Sequence, residues 1–381
     1  MLTSNVMLTT LAVANYRSLR ELVMPLGPVT LITGGNGCGK SNAYRALRLL
    51  AETAQGGVVS ALAREGGLSS ALWAGERPEK KRGREPVRLC LGFAGDEFGY
   101  VIDLGLPMLS SSAFCQDPQI KRECIWSGPV MRPAALLVDR AGASVRIRDG
   151  AGQWIDSIDL LTPFDSMLAQ FADPQRAPEM LQVRERLRGW RFYDHFRTDL
   201  AAPARAAQIG TYTPVLGHDG ADLAAALQTI IEIGDVERLR DAVDDAFPGA
   251  RVSIEIRDGY FSVQMRQPGL LRPLSAAELS DGTLRYLLWI AALLTPRPPE
   301  LLVLNEPEAS LHPDLLPALG RLIASASRDT QIIVVSHAAR LIATLSEHEQ
   351  CVHHVLDKEL GETVIRGQGL FDRPAWHWPS R

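Results

Sequence analysis

The sequence predicts an α/β fold in which a mostly parallel central sheet carries helices on both faces. In the first half, an apolar run at residues 29–33 leads through a glycine-rich octet into a helical pattern that begins at Ser41. In the last third, bare apolar runs alternate with segments of helical spacing. Such an alternation is typical of buried parallel strands that are joined by helices.

Composition places the chain among ordinary globular proteins. Charged residues make up 22% and apolar residues 46% of its 381 residues, and the formal net charge is −4. The chain as a whole is therefore not a basic nucleic-acid binder, and any DNA contact requires a local patch or assembly. Five cysteines without a C-x-x-C pair argue against a disulfide framework or structural zinc and for a reducing cytosol. With no apolar run of about 18 residues and no signal peptide, we expect a cytoplasmic protein without a membrane segment.

The first two thirds predict strands, hairpins and a few helices. Residues 7–33 predict two strands around the turn at 25–28. Alternating apolar residues predict hairpins that pair 87–93 with 100–104, 135–138 with 144–148, and 252–256 with 260–265. Helices are predicted at 178–189, where Pro178 suits the first turn, and at 220–233.

The last third predicts three helices and two buried strands. The helices lie at 276–294, 315–326 and 338–345, and the strands lie at 301–304 and 331–335. The strands are apolar apart from Gln331 at the start of the second, which indicates a sheet that is covered on both sides.

The octet at residues 34–41, GGNGCGKS, predicts a phosphate-binding loop (P-loop). It fits G-x-x-x-x-G-K-[ST] and stands between a predicted strand and a predicted helix, which is the required context. Glycines let backbone N–H groups point at phosphates, the lysine reaches the β- and γ-phosphates, and the serine ligates Mg²⁺. The candidate residues for ATP and Mg²⁺ are Gly34, Asn36, Gly37, Gly39, Lys40 and Ser41.

Four short stretches after residue 278 resemble, in this order, the remaining motifs of ABC-type ATPases. They are Leu-Ser-Asp-Gly at 279–282, Leu-Leu-Val-Leu-Asn-Glu at 301–306, Ala-Ser-Leu-His-Pro at 309–313 and Val-Val-Ser-His at 334–337. The resemblance implies that Ser280 and Gly282 contact the γ-phosphate held by a second subunit, although Ser280 is also suited to cap its helix. It implies that Glu306 is the general base and that His337 contacts the γ-phosphate.

Asn305 departs from the family pattern, which has Asp at this metal-contacting position. An amide oxygen still accepts or ligates, but it brings no negative charge to Mg²⁺. Weaker magnesium binding or slower turnover follows from this exchange, while Glu306 argues against an inactive site.

The N-terminal segment Asn-Tyr-Arg-Ser-Leu-Arg at 15–20, together with Asn42 after the P-loop serine, resembles the RecF/SMC-like branch of these ATPases, in particular a group of bacterial ATPases related to RecF. The resemblance implies a single ATPase head over 1–381. Its core comes from about 1–105 and 270–381, which include an antiparallel β subdomain, and an inserted helical and β lid spans about 106–269. Arg17 and Asn42 become candidate nucleotide contacts, and an ATP-dependent head-to-head homodimer is expected.

The same resemblance leaves three functions to weigh. The first is Mg-ATP hydrolysis in DNA maintenance or repair, with DNA as a partner. The second is an ATP-gated sensor or regulator of a protein partner, as in bacterial defence, with weak hydrolysis. The third, a subunit that energises a transporter, is disfavoured by the long segment between Ser41 and Ser280 and by the absence of a glutamine after Thr283.

Several other polar residues each permit two interpretations. Gln116 is either a glutamine that reaches Mg²⁺ or an ordinary polar residue. Arg197, Asp199 and Arg205 either contact a phosphate or a partner subunit, or form a surface ion pair. The basic residues at 80–84 either contact a phosphate backbone or are a solvated hairpin tip. Cys38 either is open to oxidation or fills a small-residue position.

Overall fold

The computed structural model describes residues 7–75, 87–107, 112–157, 160–171, 173–369 and 371–381. The chain forms two compact units. The first unit takes the described residues of 1–27, 32–190 and 354–381, and the second takes 28–31 and 191–353. The boundary after Trp190 lies within the segment 106–269 for which the sequence predicts an insertion.

The described residues form strands and helices with the following bounds. The strands are β1 (Leu8–Tyr16), β2 (Leu19–Pro25), β3 (Val29–Gly34), β4 (Leu89–Gly95), β5 (Phe98–Gly105), β6 (Gln119–Ser127), β7 (Leu136–Ala141), β8 (Ser144–Arg148), β9 (Trp154–Asp156), β10 (Arg191–Tyr193), β11 (Gln208–Ile209), β12 (Arg251–Arg257), β13 (Tyr260–Arg266), β14 (Leu274–Ser275), β15 (Leu301–Asn305), β16 (Gln331–Val335), β17 (Cys351–Glu359) and β18 (Glu362–Ile365). The helices are α1 (Lys40–Thr53), α2 (Val58–Arg64), α3 (Leu68–Ala71), α4 (Met167–Gln170), α5 (Pro178–Gly189), α6 (Leu223–Ile233), α7 (Val236–Ala246), α8 (Asp281–Leu293), α9 (Leu316–Ala326) and α10 (Ala339–Ser346).

An eight-stranded antiparallel sheet organises the first unit. Its strand order is β2-β1-β4-β5-β6-β7-β8-β9. The predicted hairpins before residue 149 are confirmed as β4–β5 and β7–β8. The sheet takes strands from both sides of residue 105, so the antiparallel part is larger than the sequence pattern alone indicates.

The prediction of two strands within residues 7–33 is wrong, because this segment contains three. Tyr16 pairs with Leu19 across a tight turn between β1 and β2. Arg17 in that turn has a left-handed backbone, with φ of 50°. A run of alternating residues on both sides of Arg17 hides the reversal, since no glycine or proline marks it.

A buried ion pair ties the eight-stranded sheet to the segment before α4. Arg140 Nη1 lies 2.7 Å from Glu123 Oε2, and both side chains are fully buried. The Glu123 carboxylate also accepts hydrogen bonds from Tyr100, Ser166 and the backbone N–H of Met167. Burial, and then the adjacent Glu123 carboxylate, raise the pKa of Tyr100 well above its ordinary value, so Tyr100 remains a donor.

The second unit contains the parallel strands. β10, β15 and β16 are neighbours, and the paired residues run in parallel register. β12 and β13 form the predicted antiparallel hairpin. β11 pairs with Tyr260 and Phe261 of β13, and β14 pairs with Gln264 and Met265. The helices α6 to α9 pack on one another around an apolar cluster that includes Trp289 and Phe196, whose rings meet edge to face.

The predicted helix at 276–294 is interrupted in the structure. Residues 276–278 form a single 3₁₀ turn, Leu279 and Ser280 are extended, and α8 begins at Asp281. Ser275 and Glu278 form a capping box at the start of the 3₁₀ turn, and Ser280 separately caps α8. The other predicted helices of this unit are present, with α6 beginning at Leu223.

β3 leads directly into the P-loop. Its first residues belong to the second unit and its last residues to the first. In the first unit, the Thr33 hydroxyl lies 3.5 Å from the backbone oxygen of His354 in β17. Within the described ranges, every helix is too short or too polar to cross a membrane.

We expect Arg140→Met to lower the free energy of unfolding by about 3–5 kcal/mol, because it leaves the buried Glu123 charge without its cation. The control is Arg146→Met, since the Arg146 side chain is 48% exposed where it pairs with Asp139. That change should cost at most about 1 kcal/mol. Urea unfolding followed by circular dichroism measures both, and equal midpoints for the two variants would contradict the assignment of Arg140 as a structural ion.

Candidate functional site

Three glycines give the P-loop its curled backbone. Gly34, Gly37 and Gly39 have φ of 143°, 76° and 108°, which other residues rarely adopt. A Cβ on Gly34 would collide with the backbone oxygen of Leu356, and a Cβ on Gly39 would collide with the Thr363 hydroxyl. Conformation therefore requires all three glycines, and the closeness of β17 and β18 also requires Gly34 and Gly39.

Lys40 is held inside the curl of the loop. Its Nζ donates to the backbone oxygens of Gly34 at 2.7 Å and Gly35 at 2.9 Å. Only 8% of Lys40 is exposed. An ammonium has three N–H donors, so one remains for a phosphate oxygen after these two bonds.

The N-terminus of α1 is suited to an anion. Gly39 is the N-cap and supplies no side-chain hydrogen bond, and the first turn carries no acidic residue. The N–H groups of a first helical turn have no partner within the helix, and the helix dipole favours negative charge there. Residues 35–37 and Ser41 are exposed, so a ligand has access to the loop and to the Ser41 hydroxyl.

Three side chains form a chain of hydrogen bonds that ends at the backbone of the P-loop. The Asn42 amide donates to Ser18 Oγ at 2.8 Å, Ser18 Oγ lies 2.6 Å from Thr363 Oγ1, and Thr363 Oγ1 donates to the backbone oxygen of Cys38 at 2.7 Å. In this structure Asn42, a candidate nucleotide contact, buttresses the loop. Ser18 lies in the segment that the sequence singles out, whereas Thr363 carries no sequence signal.

Arg17, the other candidate from the N-terminal segment, pairs with a carboxylate. Its Nη2 lies 2.8 Å from Glu65 Oε2, and Tyr16 donates its phenol hydrogen to the same carboxylate. Burial, and then the hydrogen bond to Glu65, raise the pKa of Tyr16 above its ordinary value. The positive charge of Arg17 is thus partly neutralised inside the first unit, and a contact to nucleotide stays a prediction.

In the second unit, Glu306 follows β15 in a strained conformation. Its φ is 49°, which is uncommon for a residue other than glycine, and its N–H donates to the backbone oxygen of Val335 at 2.8 Å. Such strain is concentrated at functional sites, where the surrounding structure holds the backbone in place. The side chain remains 46% exposed, so the carboxylate is available to water.

His337 lies beside Glu306 and a second, buried carboxylate. His337 Nδ1 is 4.0 Å from Glu306 Oε1 and 3.3 Å from Glu308 Oε1. The ring is 59% exposed, whereas the Glu308 side chain is only 6% exposed. The sequence predicts roles for Glu306 and His337, but none for Glu308.

Ser280 caps α8 in this structure. Its Oγ accepts the Thr283 N–H at 3.1 Å, as the simpler interpretation predicts. A Cβ on Gly282 would meet only ordinary contact with the backbone oxygen of Ser310, so sterics within the chain do not require glycine there. A phosphate contact by Ser280 and Gly282 stays a prediction.

Arg205 holds the start of α8, a role that the sequence does not reveal. Its guanidinium donates to the backbone oxygens of Thr198, Ala276 and Leu279 and to the Asp281 carboxylate. The Arg205 side chain is 6% exposed. It therefore joins residues 198–205 to the segment 276–281 and is not the surface charge considered above.

The remaining polar candidates behave as simple surface groups or lie outside the description. Arg197 and Asp199 form an exposed ion pair. Gln116 is exposed in a turn before β6 and does not stand at a strand end. The basic residues at 80–84 lie outside the described residues.

The oxygen donors fit Mg²⁺ that arrives with a nucleotide. No group of three or more His, Cys, Asp or Glu side chains in the described ranges could hold a metal alone. Mg²⁺ commonly takes one or two protein ligands and completes its shell with phosphate oxygens and water. In the first unit, the exposed Ser41 hydroxyl is an oxygen donor of the hard type that Mg²⁺ requires. A contact between the metal and Asn305, which lies in the second unit, stays a prediction.

A comparison with known proteins identifies a family and a fold. A family model described as "AAA domain, putative AbiEii toxin, Type IV TA system" matches residues 29–343. Among curated proteins, none matches the chain. A solved SMC head bound to the C-winged helix domain of ScpA is 14% identical, with a TM-score of 0.53 over 96% of this chain and 98% of that one. The SMC head domain from Thermotoga maritima is 15% identical, with a TM-score of 0.45 over 95% and 99%. The first of these structures confirms the predicted α/β fold of the ABC/SMC type.

We expect Lys40→Ala to lose detectable ATP binding, since it removes the ammonium held inside the P-loop. An equilibrium titration with a fluorescent ATP analogue measures the affinity. Lys358→Ala is the control, because Lys358 is exposed in β17 of the same unit and its loss should leave binding unchanged. Tight binding by the Lys40 variant would contradict the P-loop assignment.

Proposed function

We propose that this chain, which belongs to the AAA-domain family matched over residues 29–343, binds Mg-ATP through residues 34–41 and hydrolyses it. The observation that carries the proposal is the P-loop itself. Three of its glycines have left-handed backbone conformations, and the Lys40 ammonium bonds to backbone oxygens of the loop. The N-terminus of α1, which follows the loop, has no side-chain cap. A neutral or cationic ligand would gain little from this arrangement, because both the dipole and the ammonium favour an anion.

The proposed hydrolysis assigns one role to each polar residue. Glu306 orients the attacking water and accepts its proton, for which its exposed carboxylate is suited. His337 contacts the γ-phosphate, Lys40 stabilises the phosphate charge, and Ser41 and Asn305 are the metal ligands. The bound Mg²⁺ supplies charge neutralisation for the β- and γ-phosphate oxygens.

We further propose that two copies associate head to head around two nucleotides and that the protein acts on DNA in maintenance or repair. Both statements follow from the resemblance of residues 15–20 and Asn42 to the RecF/SMC-like branch. In such an arrangement, Ser280 and Gly282 of one subunit contact the γ-phosphate of the other, and hydrolysis separates the subunits.

A second candidate is an ATP-gated regulator of a protein partner with weak hydrolysis. Asn305 favours it, because an amide contributes no negative charge to the metal site. The description of the matched family, which names a toxin of a type IV toxin–antitoxin system, favours a defence context. The two candidates differ in what accelerates ATP turnover.

The deciding experiment measures ATP hydrolysis with and without single-stranded, duplex and gapped DNA, with Lys40→Ala as the background. Stimulation by any of these DNAs supports the first candidate. Slow hydrolysis that no DNA changes supports the second. A wild-type rate equal to that of the Lys40 variant would contradict hydrolysis in both.

We expect Glu306→Gln to bind ATP normally but to hydrolyse it about 10²–10⁴-fold more slowly, since general-base catalysis is worth that much. The variant should then accumulate as an ATP-bound dimer, which light scattering detects. Glu349→Gln, at an exposed carboxylate of the same unit, should keep the wild-type rate. Unchanged turnover in the Glu306 variant would show that Glu306 is not the base.

We expect Asn305→Asp to shift half-maximal activation to lower Mg²⁺ concentration, because it restores a negative charge to the metal site. If Glu306 already supplies that charge, the added carboxylate crowds like charges and raises a carboxylate pKa, so the magnesium requirement rises instead. A magnesium titration of the hydrolysis rate measures the shift. A curve that moves in neither direction would show that Asn305 lies outside the metal shell.

A further inference from the structure

Glu308 is a buried carboxylate for which the roles above leave no use. Its side chain is 6% exposed, although it lies two residues after the exposed Glu306. Removing a carboxylate from water is costly unless donors surround it. The donors that surround Glu308 therefore show what the residue does.

All donors to Glu308 come from the segment that carries His337. Glu308 Oε1 accepts from the Ser336 hydroxyl at 2.7 Å, from the His337 N–H at 2.9 Å and from the Ala338 N–H at 3.2 Å. Ala338 is the N-cap of α10 and supplies no side-chain cap of its own. The carboxylate of Glu308 thus caps this helix from another element and holds the backbone of His337.

The same oxygen also lies next to the His337 ring. Oε1 is 3.3 Å from Nδ1, whereas the Glu306 carboxylate is 4.0 Å away. A carboxylate oxygen can only accept a hydrogen, so this contact is favourable when Nδ1 carries one. The hydrogen bond at one ring nitrogen determines what the other nitrogen presents to a ligand.

We propose that Glu308 is a positioning residue, which fixes both the backbone of His337 and the tautomer of its ring with hydrogen on Nδ1, so that Nε2 faces the reacting groups. The predicted effect on kcat rests on the proposed hydrolysis. The predicted tautomer of the His337 ring does not depend on it. Glu308 itself touches neither nucleotide nor water in this role. A carboxylate that orients an imidazole in this manner raises activity without contacting substrate.

The second carboxylate oxygen of Glu308 is consistent with this assignment. Oε2 is buried and has no hydrogen-bond partner in the described part of the chain. If residue 308 only joined two segments through hydrogen bonds, glutamine would suffice there, since its amide brings no charge into the interior. The negative charge lies beside the ring of His337, with Oε1 3.3 Å from Nδ1.

The test uses Glu308→Gln in the full chain. Glutamine retains an oxygen that can accept from Ser336, His337 and Ala338, but it lacks the charge that favours hydrogen on Nδ1. We expect kcat to fall on the order of 10-fold to 100-fold, as for other carboxylates that orient functional imidazoles, with the affinity for ATP unchanged. Unchanged kcat in a folded Glu308→Gln variant would overturn the proposal.

The control is Glu349→Gln, which makes the same carboxylate-to-amide change at an exposed position of the same unit. This variant should keep the wild-type kcat. A loss equal to that of Glu308→Gln would show that the effect is not specific to the carboxylate beside His337.

A double-mutant cycle separates positioning from general structural support. If Glu308 acts through the ring, Glu308→Gln should slow His337→Ala no further, because the ring that it orients is absent. If the two losses multiply, the carboxylate acts by another route and the proposal is wrong.

Nitrogen NMR of histidine-labelled protein tests the ring directly and does not depend on hydrolysis. Among the eight histidines, His337 is assigned by the signal that His337→Ala removes. We expect a hydrogen-bearing Nδ1 in the wild type and a mixture of tautomers in Glu308→Gln. A wild-type ring with hydrogen only on Nε2 overturns the proposal even if the variant fails to fold. If the wild type shows hydrogen on Nδ1 but no ATP turnover, the proposed hydrolysis fails and the assignment of the ring stands.

Discussion

The bonds between the Lys40 ammonium and the backbone oxygens of Gly34 and Gly35 are the constraint on which the P-loop depends. A buried cation must be surrounded by acceptors, and the loop provides them only if its backbone turns through left-handed conformations. Glycine at 34, 37 and 39 permits those turns, and at 34 and 39 it also lets β17 and β18 pack closely against the loop. The same loop leads into an α1 N-terminus that has no side-chain cap and no acidic residue in its first turn, so the loop and the helix start together favour an anion.

Buried charges act as structural links at several other places in the molecule. Three such links are the Glu123–Arg140 pair, Arg205 and Glu308, whose side chains are nearly or fully buried. Each of them bonds to backbone groups of another segment of the chain. An apolar side chain could fill the same space, but it would not select one backbone conformation. A charge surrounded by N–H or carbonyl groups does so, because any displacement leaves it uncompensated. Arg205 fixes the backbone beside Ser280 in this way, and Glu308 fixes the backbone of His337. The family resemblance assigns a function to both Ser280 and His337.

Glu306 and Glu308 show how position alone separates two identical side chains. Glu306 follows β15 with a strained backbone and an exposed carboxylate, whereas Glu308 turns inward and accepts three hydrogen bonds. The Glu306 carboxylate is accessible to water, whereas the Glu308 carboxylate is hydrogen-bonded to the segment that carries His337. The strain at Glu306 is maintained by its N–H bond to Val335 and by the turn in which Ala309 N–H bonds to the Glu306 oxygen.

The sequence by itself determined the P-loop, most of the strands and helices and the α/β class, because glycine patterns and apolar periodicity are local and report local backbone geometry. It also indicated Glu306 and His337, since each lies in a short motif that resembles those of ABC-type ATPases. The tertiary structure alone decided that Asn42, Ser18 and Thr363 form one chain of hydrogen bonds, that Arg205 holds the start of α8, and that Glu308 caps α10. It also decided the reversal at Arg17 and the break before Asp281. These features come from partners far apart in the chain or from hydrogen bonds that override propensity, and no repeating pattern in the sequence records them.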